Sequence, residues 1–238
     1  MTEAAPVVTI DGPSSSGKGT IARAVAEHLR WRLLDSGALY RLVAHAGTGR
    51  GLAPGDVEGH ARLAAAMQVV FGTGPDGGEQ ILLDGRDVTR AVRTEAAGQG
   101  ASRVAAWPAV RQALLERQRA FARPPGLVAD GRDMGTVIFP GASLKIYLTA
   151  SADERALRRY KQLKDKESGV SLSALSREIT ERDARDSTRA VAPLIPAPDA
   201  EVIDSTGLSI EEVVGRVLEL GALRSLWPRS LCSLTEAR

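Results

Sequence analysis

The chain has 238 residues and a formal net charge of +2, length enough for one α/β domain with an insertion or for two small domains. Hydrophobic residues make up 43% and charged residues 25%, as in soluble globular proteins, and so small a net charge gives no electrostatic case for a nucleic-acid or membrane partner. A single cysteine, Cys232, excludes a disulfide framework or cysteine metal cluster within the chain.

Aromatics are only 4% of the residues, so the core must rest on Ala, Leu and Val. The opening residues MTEAAPVV lack the basic and apolar regions of a signal peptide. No apolar run approaches the roughly 18 residues of a membrane span. A soluble, cytoplasmic protein is expected.

In chain order, Val7, Val8, Thr9 and Ile10 form a β-branched run that ends in Asp11. A glycine-framed loop follows, Gly12, Pro13, Ser14, Ser15, Ser16, Gly17, Lys18, Gly19 and Thr20. Ile21, Ala24, Val25, Ala26 and Leu29 then recur at the period of a helix with one buried face. Strand, glycine-rich loop and helix together predict a phosphate-binding loop: backbone N–H groups form the cradle, the helix dipole lies behind it, and Lys18 reaches the terminal phosphates. One position departs from the common pattern. Gly19 stands where Ser or Thr usually follows the lysine, which argues against direct Mg²⁺ ligation by this loop.

A short strand at 33–35 runs into Asp35-Ser36-Gly37, and a helix follows with Asp35 or Ser36 as its N-cap. The soft segment GTGRGLAPGD precedes a helix at 57–67. Between 67 and 92, two β-like runs flank a Pro-Asp-Gly-Gly turn, the mark of a small β insertion. Helical texture resumes near Thr94, and Pro108 opens a further helix. A buried strand at 127–130 ends in Asp130-Gly131-Arg132-Asp133, and another follows at 144–149. Ser151 and Glu154 read as a capping box for an Arg-rich helix. The segment KDKESGVS separates it from a helix at 172–185, in a pattern suited to a moving flap. The last strand, 200–204, precedes a helix that Ser209 and Glu212 cap, and the final residues, SLWPRSLCSLTEAR, read as a loose tail. The alternation predicts a five-stranded parallel sheet flanked by helices, with ligands at the carboxyl ends of the strands.

Three clusters extend the chemistry. Asp35, Ser36 and Arg41 suit either a helix cap with a surface arginine or a second anion site at a helix N-terminus. Asp130 is placed to hold Mg²⁺ directly or through water, while Arg132 and Asp133 are either an ion pair on a turn or ligand contacts. Among the arginines at 155, 158, 159, 177, 182, 185 and 189, Arg158, Arg182 and Arg189 are of the kind that stabilises charge on a transferring phosphoryl group, although charged helix faces are usually just solvated. Two phosphate sites with cations across the gap fit phosphoryl transfer between anions. An already ionised phosphate nucleophile needs no catalytic His or Cys.

From about residue 7 to 220 the chain resembles the cytidylate kinase branch of the nucleoside monophosphate kinases, phosphate-loop proteins. The resemblance rests on GPSSSGKGT, LLDSGALYR, ASRVAAWPAVRQALL, ADGRDMGTVIFP, ERDARDSTRAVAPL and the β insertion. It implies transfer of the γ-phosphoryl group of ATP to CMP or dCMP. Residues 12–20, with Arg158 and Arg159, would bind ATP. Asp35, Ser36, Arg41, Ser102, Arg111, Arg132, Asp133, Arg182, Asp186 and Arg189 would bind CMP. Of these, Ser36, Arg41 and Arg132 are implied to hold the monophosphate, Arg182 and Asp186 to reach the sugar, and Ser102, Arg111, Asp133 and Arg189 to address the base. Lys18, Arg132 and Arg182 would be catalytic, and Mg²⁺ would be held mainly by water and phosphates near Asp130. The same resemblance sets the expected organisation: core 1–50, monophosphate-binding insertion 51–107, core 108–153, Arg-rich helical lid 154–188, and core with tail 189–238. A monomer is expected.

The rivals are weaker. A GTPase should carry an N-K-x-D motif and a nucleic-acid motor a basic stripe or a longer chain; the sequence shows neither. A silent nucleotide-binding scaffold would be expected to have lost Lys18 or Arg132. A smaller UMP/CMP kinase lacks the β insertion.

Overall fold

Val7–Asp11, buried at every position, is the central strand β1 of a computed structural model that describes residues 5–75, 77–164 and 171–232. Around it stand β2 (Arg32–Asp35), β6 (Leu127–Gly131), β7 (Leu144–Thr149) and β8 (Glu201–Asp204), in the order β2-β6-β1-β7-β8. All four pairings are parallel, as strands joined by crossover connections must be. The five strands expected from the sequence are these five. Register sets Asp35 opposite Asp130, Asp130 opposite Ile10, and Asp11 opposite Gly131, so three acidic strand ends share one edge of the sheet.

Contacts divide the chain into two units, residues 1–35 with 119–238, and residues 36–118. In the first, helices α1 (Lys18–Leu29) and α9 (Ile210–Leu223) pack against each other. Their apolar faces, Ile21, Val25 and Leu29 with Val213, Val217 and Leu218, share one buried cluster with Val8, Ile10, Val128 and Ile146 of the sheet. Helix α9 opens on the full capping box expected at Ser209 and Glu212. The box read at Ser151 is only half made. At the start of α7 (Ala152–Leu163) the Ser151 hydroxyl accepts from the Glu154 amide, but the Glu154 carboxylate turns to Arg158 instead, 2.9 Å from its Nε. Helix α8 (Leu172–Ser187) completes this part of the unit; residues 165–170 of the expected flap lie outside the described residues.

The second unit centres on α2 (Ser36–Gly49), against which α3 (Val57–Ala66), α4 (Thr89–Val92) and α5 (Glu95–Val104) pack. The hairpin texture becomes a three-stranded antiparallel sheet of β3 (Val69–Thr73), β4 (Glu79–Leu83) and β5 (Arg86–Asp87). The turn at 74–78 includes position 76, which is outside the described residues. A second turn, Asp84-Gly85, has positive φ at both residues (48° and 80°), the geometry that suits Asp-Gly in tight hairpins. Helix α6 (Pro108–Arg119) ends the unit.

The tail corrects the sequence reading up to residue 232. Trp227 is 7% exposed, meets Trp31 edge-to-face at 5.5 Å and donates its indole N–H to Leu218 O at 2.9 Å. A 3₁₀ turn, Arg229–Cys232, follows. One isolated tryptophan carries no periodicity, so only its tertiary partners reveal it as core. Gly221 makes the space, since a Cβ there would fall 1.9 Å from Trp227 Cζ2. Gly221→Val should therefore destabilise by about 1–3 kcal/mol through overpacking, lowering Tm by roughly 2–4 °C per kcal/mol for a chain of this size. Calorimetric unfolding checks this, and an unchanged Tm would mean that the indole moves aside at no cost.

Candidate functional site

The loop after β1 is shaped by close approach. A Cβ on Gly12 would fall 2.0 Å from the backbone carbonyl oxygen of Leu148, and Gly17, at φ +92°, holds a left-handed conformation just before α1. The Lys18 ammonium donates to Pro13 O at 3.1 Å, curling the side chain back over the loop. Burial pulls the Lys18 ammonium down to about 7, and the charges of Arg132 and Arg182 push the same way against Asp130 and Asp35. Lys18, Asp35, Asp130, Arg132 and Arg182 thus form one electrostatic group. The hydroxyls of Ser14 and Ser16 are buried with no hydrogen-bond partner among the described residues.

Two arginines of α7 hold the loop from behind. Arg155, buried, donates to Ser14 O at 3.1 Å and to Ala150 O at 3.1 Å, and pairs with Asp183 of α8 at 2.6 Å. Arg158 donates to Ser16 O at 3.1 Å and to the hydroxyl and carbonyl of Ser205, at 3.0 and 2.6 Å. These bonds fix the backbone of the loop at Ser14 and Ser16. Arg159 is bonded to Gln162 at 3.3 Å. The sequence reading missed Arg155 and Ser205 as site residues: a guanidinium bound to a backbone carbonyl over a hundred residues away leaves no local pattern.

Across the sheet edge, the Arg132 Nε lies 3.0 Å from the Asp186 carboxylate, and Arg189 donates to the Asp186 backbone carbonyl at 3.3 Å. Burial alone would raise the Asp186 carboxyl, but Arg132, Arg189 and Arg182 together hold it below the usual range. Asp133, next in the chain to Arg132, is buried, and its carbonyl accepts from Val137 and Ile138 in the π-helical turn Met134–Ile138. The first unit thus brings together Lys18, Arg132, Arg182, Asp186 and Arg189. In the second unit, Ser36 opens α2 and is buried, and Arg41 donates to Val92 O at 3.5 Å. Arg111 stacks over Tyr40 at 5.9 Å, and the Ser102 hydroxyl is buried with no hydrogen-bond partner among the described residues.

A metal would find few protein ligands here. No group of three His, Cys, Asp or Glu residues able to hold one occurs among the described residues. Asp130 offers a carboxylate at the loop, its Oδ2 3.1 Å from where a Cβ on Gly19 would stand. A side chain at position 19 would press on that carboxylate and require it to shift. One carboxylate beside this glycine-framed loop fits Mg²⁺, which takes one or two protein oxygens and completes its shell with phosphate and water. It would not suit a fully protein-caged ion.

A family model described as cytidylate kinase matches residues 8–222. The chain belongs to the cytidylate kinase family. A cytidylate kinase of Pseudomonas fluorescens strain Pf0-1 is 58% identical over 95% of this chain and 99% of its own length. One from Pseudomonas syringae pv. tomato is 60% identical over 93% and 97%, and one from Stutzerimonas stutzeri 58% identical over 95% and 99%.

A lysine held near neutrality by burial should regain its proton when an anion binds beside it. Raising its pKa on binding means proton uptake above pH 7, so affinity for pyrophosphate or ATP should fall as pH rises, by up to roughly tenfold from pH 8 to 9. Titration calorimetry in buffers of different ionisation enthalpy measures the uptake. Lys18→Ala should abolish it, and uptake that survives this substitution would assign the proton elsewhere.

Proposed function

We propose that the protein transfers the γ-phosphoryl group of ATP to CMP or dCMP, releasing ADP and the corresponding diphosphate. The observation that carries this reading is the cationic group Lys18, Arg132 and Arg182 beside Asp130, in a chain of the cytidylate kinase family. Residues 12–20 take the donor phosphates, with segment 154–188 as an Arg-rich lid that keeps water from them. Segment 51–107 is the monophosphate-binding insertion. Arg158 and Arg159 are the lid's contacts to ATP, reached by release from Ser205 and Gln162.

An acceptor phosphate oxygen, ionised near pH 7, attacks the γ-phosphorus in line; a new P–O bond forms as the β–γ bridging bond breaks, and ADP leaves with the bridging oxygen. No base is required. Lys18, Arg132 and Arg182 balance the charge on the group in flight. Mg²⁺, held by Asp130 through water and by phosphate oxygens, would neutralise charge on the donor phosphates.

For the acceptor, Ser36, Arg41 and Arg132 address the phosphate, and Arg182 and Asp186 the sugar, with Asp35 beside them. Ser102, Arg111, Asp133 and Arg189 address the base. Asp133 can accept from the cytosine amino group, where uracil offers only a carbonyl. Arg132 comes pre-aimed by its ion pair with Asp186. The enzyme is read as a cytoplasmic monomer with these nucleotides as its only partners.

ADP formation with CMP, dCMP, UMP, AMP and GMP offered separately tests the reading. Release driven by CMP and dCMP is expected; acceptor-independent release would make the protein an NTPase. Asp133→Ala should raise the KM for CMP by roughly 10–100-fold, the loss of one hydrogen bond to a charged group, with the KM for ATP little changed. An equal rise in both would contradict base reading by Asp133.

A further inference from the structure

None of the roles above uses Asp11, although it closes β1 immediately before the phosphate loop. The residue is 5% exposed. One oxygen of its carboxylate accepts from the Met134 amide and the other from the Gly135 amide, each at 2.8 Å. These amides open the π-helical turn and directly follow Arg132 and Asp133 in the chain. On the other side of that pair, Gly131 is the register partner of Asp11 across the β1–β6 ladder. The segment carrying Arg132 and Asp133 is therefore tied to a single residue at both ends, by strand pairing before it and by a two-oxygen clasp after it.

Its surroundings leave the turn little freedom. A Cβ on Gly135 would meet Thr9 Oγ1 at 2.9 Å and Lys145 Cγ at 3.3 Å, so the turn lies pressed against the sheet. Met134 is fully buried. Two adjacent amides without helical partners are satisfied best by one acceptor with two oxygens. Burial pushes the Asp11 carboxyl up to about 7, against these two amide bonds, which favour the ionised form. A costly buried carboxylate is thus retained where an asparagine would leave one of the two amides unmet and an apolar residue both.

We infer that Asp11 is a positioning residue for the acceptor nucleotide, holding Arg132 and Asp133 in register with the phosphate loop that begins at the next residue. The inference rests on the acceptor roles proposed for Arg132 and Asp133. It predicts a defect confined to the acceptor side, although Asp11 adjoins the donor loop in sequence.

Asp11→Asn is the decisive variant. An amide keeps one acceptor oxygen but turns its NH₂ toward a backbone N–H, so the clasp opens on one side. The KM for CMP should rise at least tenfold and the preference for CMP over UMP should narrow, while the KM for ATP changes less than twofold. An unchanged KM for CMP, or an equal rise for both substrates, overturns the inference. If the asparagine variant does not fold, Asp11→Glu, which keeps both oxygens but displaces them by a methylene, is judged by the same split. Asp133→Ala run in parallel separates the two levels. If that variant leaves CMP use intact, the acceptor reading itself fails; if it impairs CMP use and the Asp11 variants do not, only the positioning role fails.

Discussion

The structure is organised around a lysine that the fold makes uncomfortable. Lys18 is buried at the start of α1, and burial together with the charges of Arg132 and Arg182 pulls the pKa of its ammonium down to about 7. An isolated buried cation is strongly disfavoured unless paired, and Asp130 and Asp35 offset it only in part. In the proposed function, phosphate supplies the remaining counter-charge. Under that proposal, what looks like an electrostatic fault in the free protein is preorganisation for a polyanion, because the cations need not be gathered when it arrives.

Holding that arrangement requires rigidity on every side, and the elements that supply it are distant in sequence. The parallel sheet aligns Asp11, Asp35 and Asp130 at one edge through register alone. Gly12 can pass the Leu148 carbonyl only without a Cβ. Arg155 and Arg158 bind the loop's carbonyls at Ser14 and Ser16, and Arg155 also reaches Asp183 on α8, between Arg182 and Asp186 in the chain. The same helix pair thus braces the donor loop and carries residues proposed for the acceptor. Asp11 does the equivalent on the sheet side. Buried charged groups bonded to backbone recur in this unit.

Much of the site was legible in the sequence because its residues sit in local patterns. Strand, glycine loop, lysine and helix lie within some two dozen residues, and Asp130-Gly131-Arg132-Asp133 ends a buried strand. The strands, the α5 start at Thr94 and the Ser209 capping box all follow from nearest-neighbour chemistry. The π-helical turn after Asp133, the half-made cap at Ser151 and the docking of Trp227 were not legible. Each depends on a partner brought in by the fold: Asp11 for the turn, Arg158 for the Glu154 carboxylate, Trp31 and Gly221 for the indole.

By itself the sequence determined the class of chemistry, since a phosphate loop, a second-strand acid and a set of arginines are specified by residue type and short spacing. It also determined the parallel α/β architecture, because alternating apolar strands and amphipathic helices admit few arrangements. Only the tertiary structure decided what each charged residue binds. Arg132 with Asp186, Arg155 with Ser14 and Asp183, and Asp11 with Met134 and Gly135 are pairings that burial and distance select from many possible ones. Charge interactions strengthen steeply where water is excluded, and which side chains lose their water is a property of the packed fold.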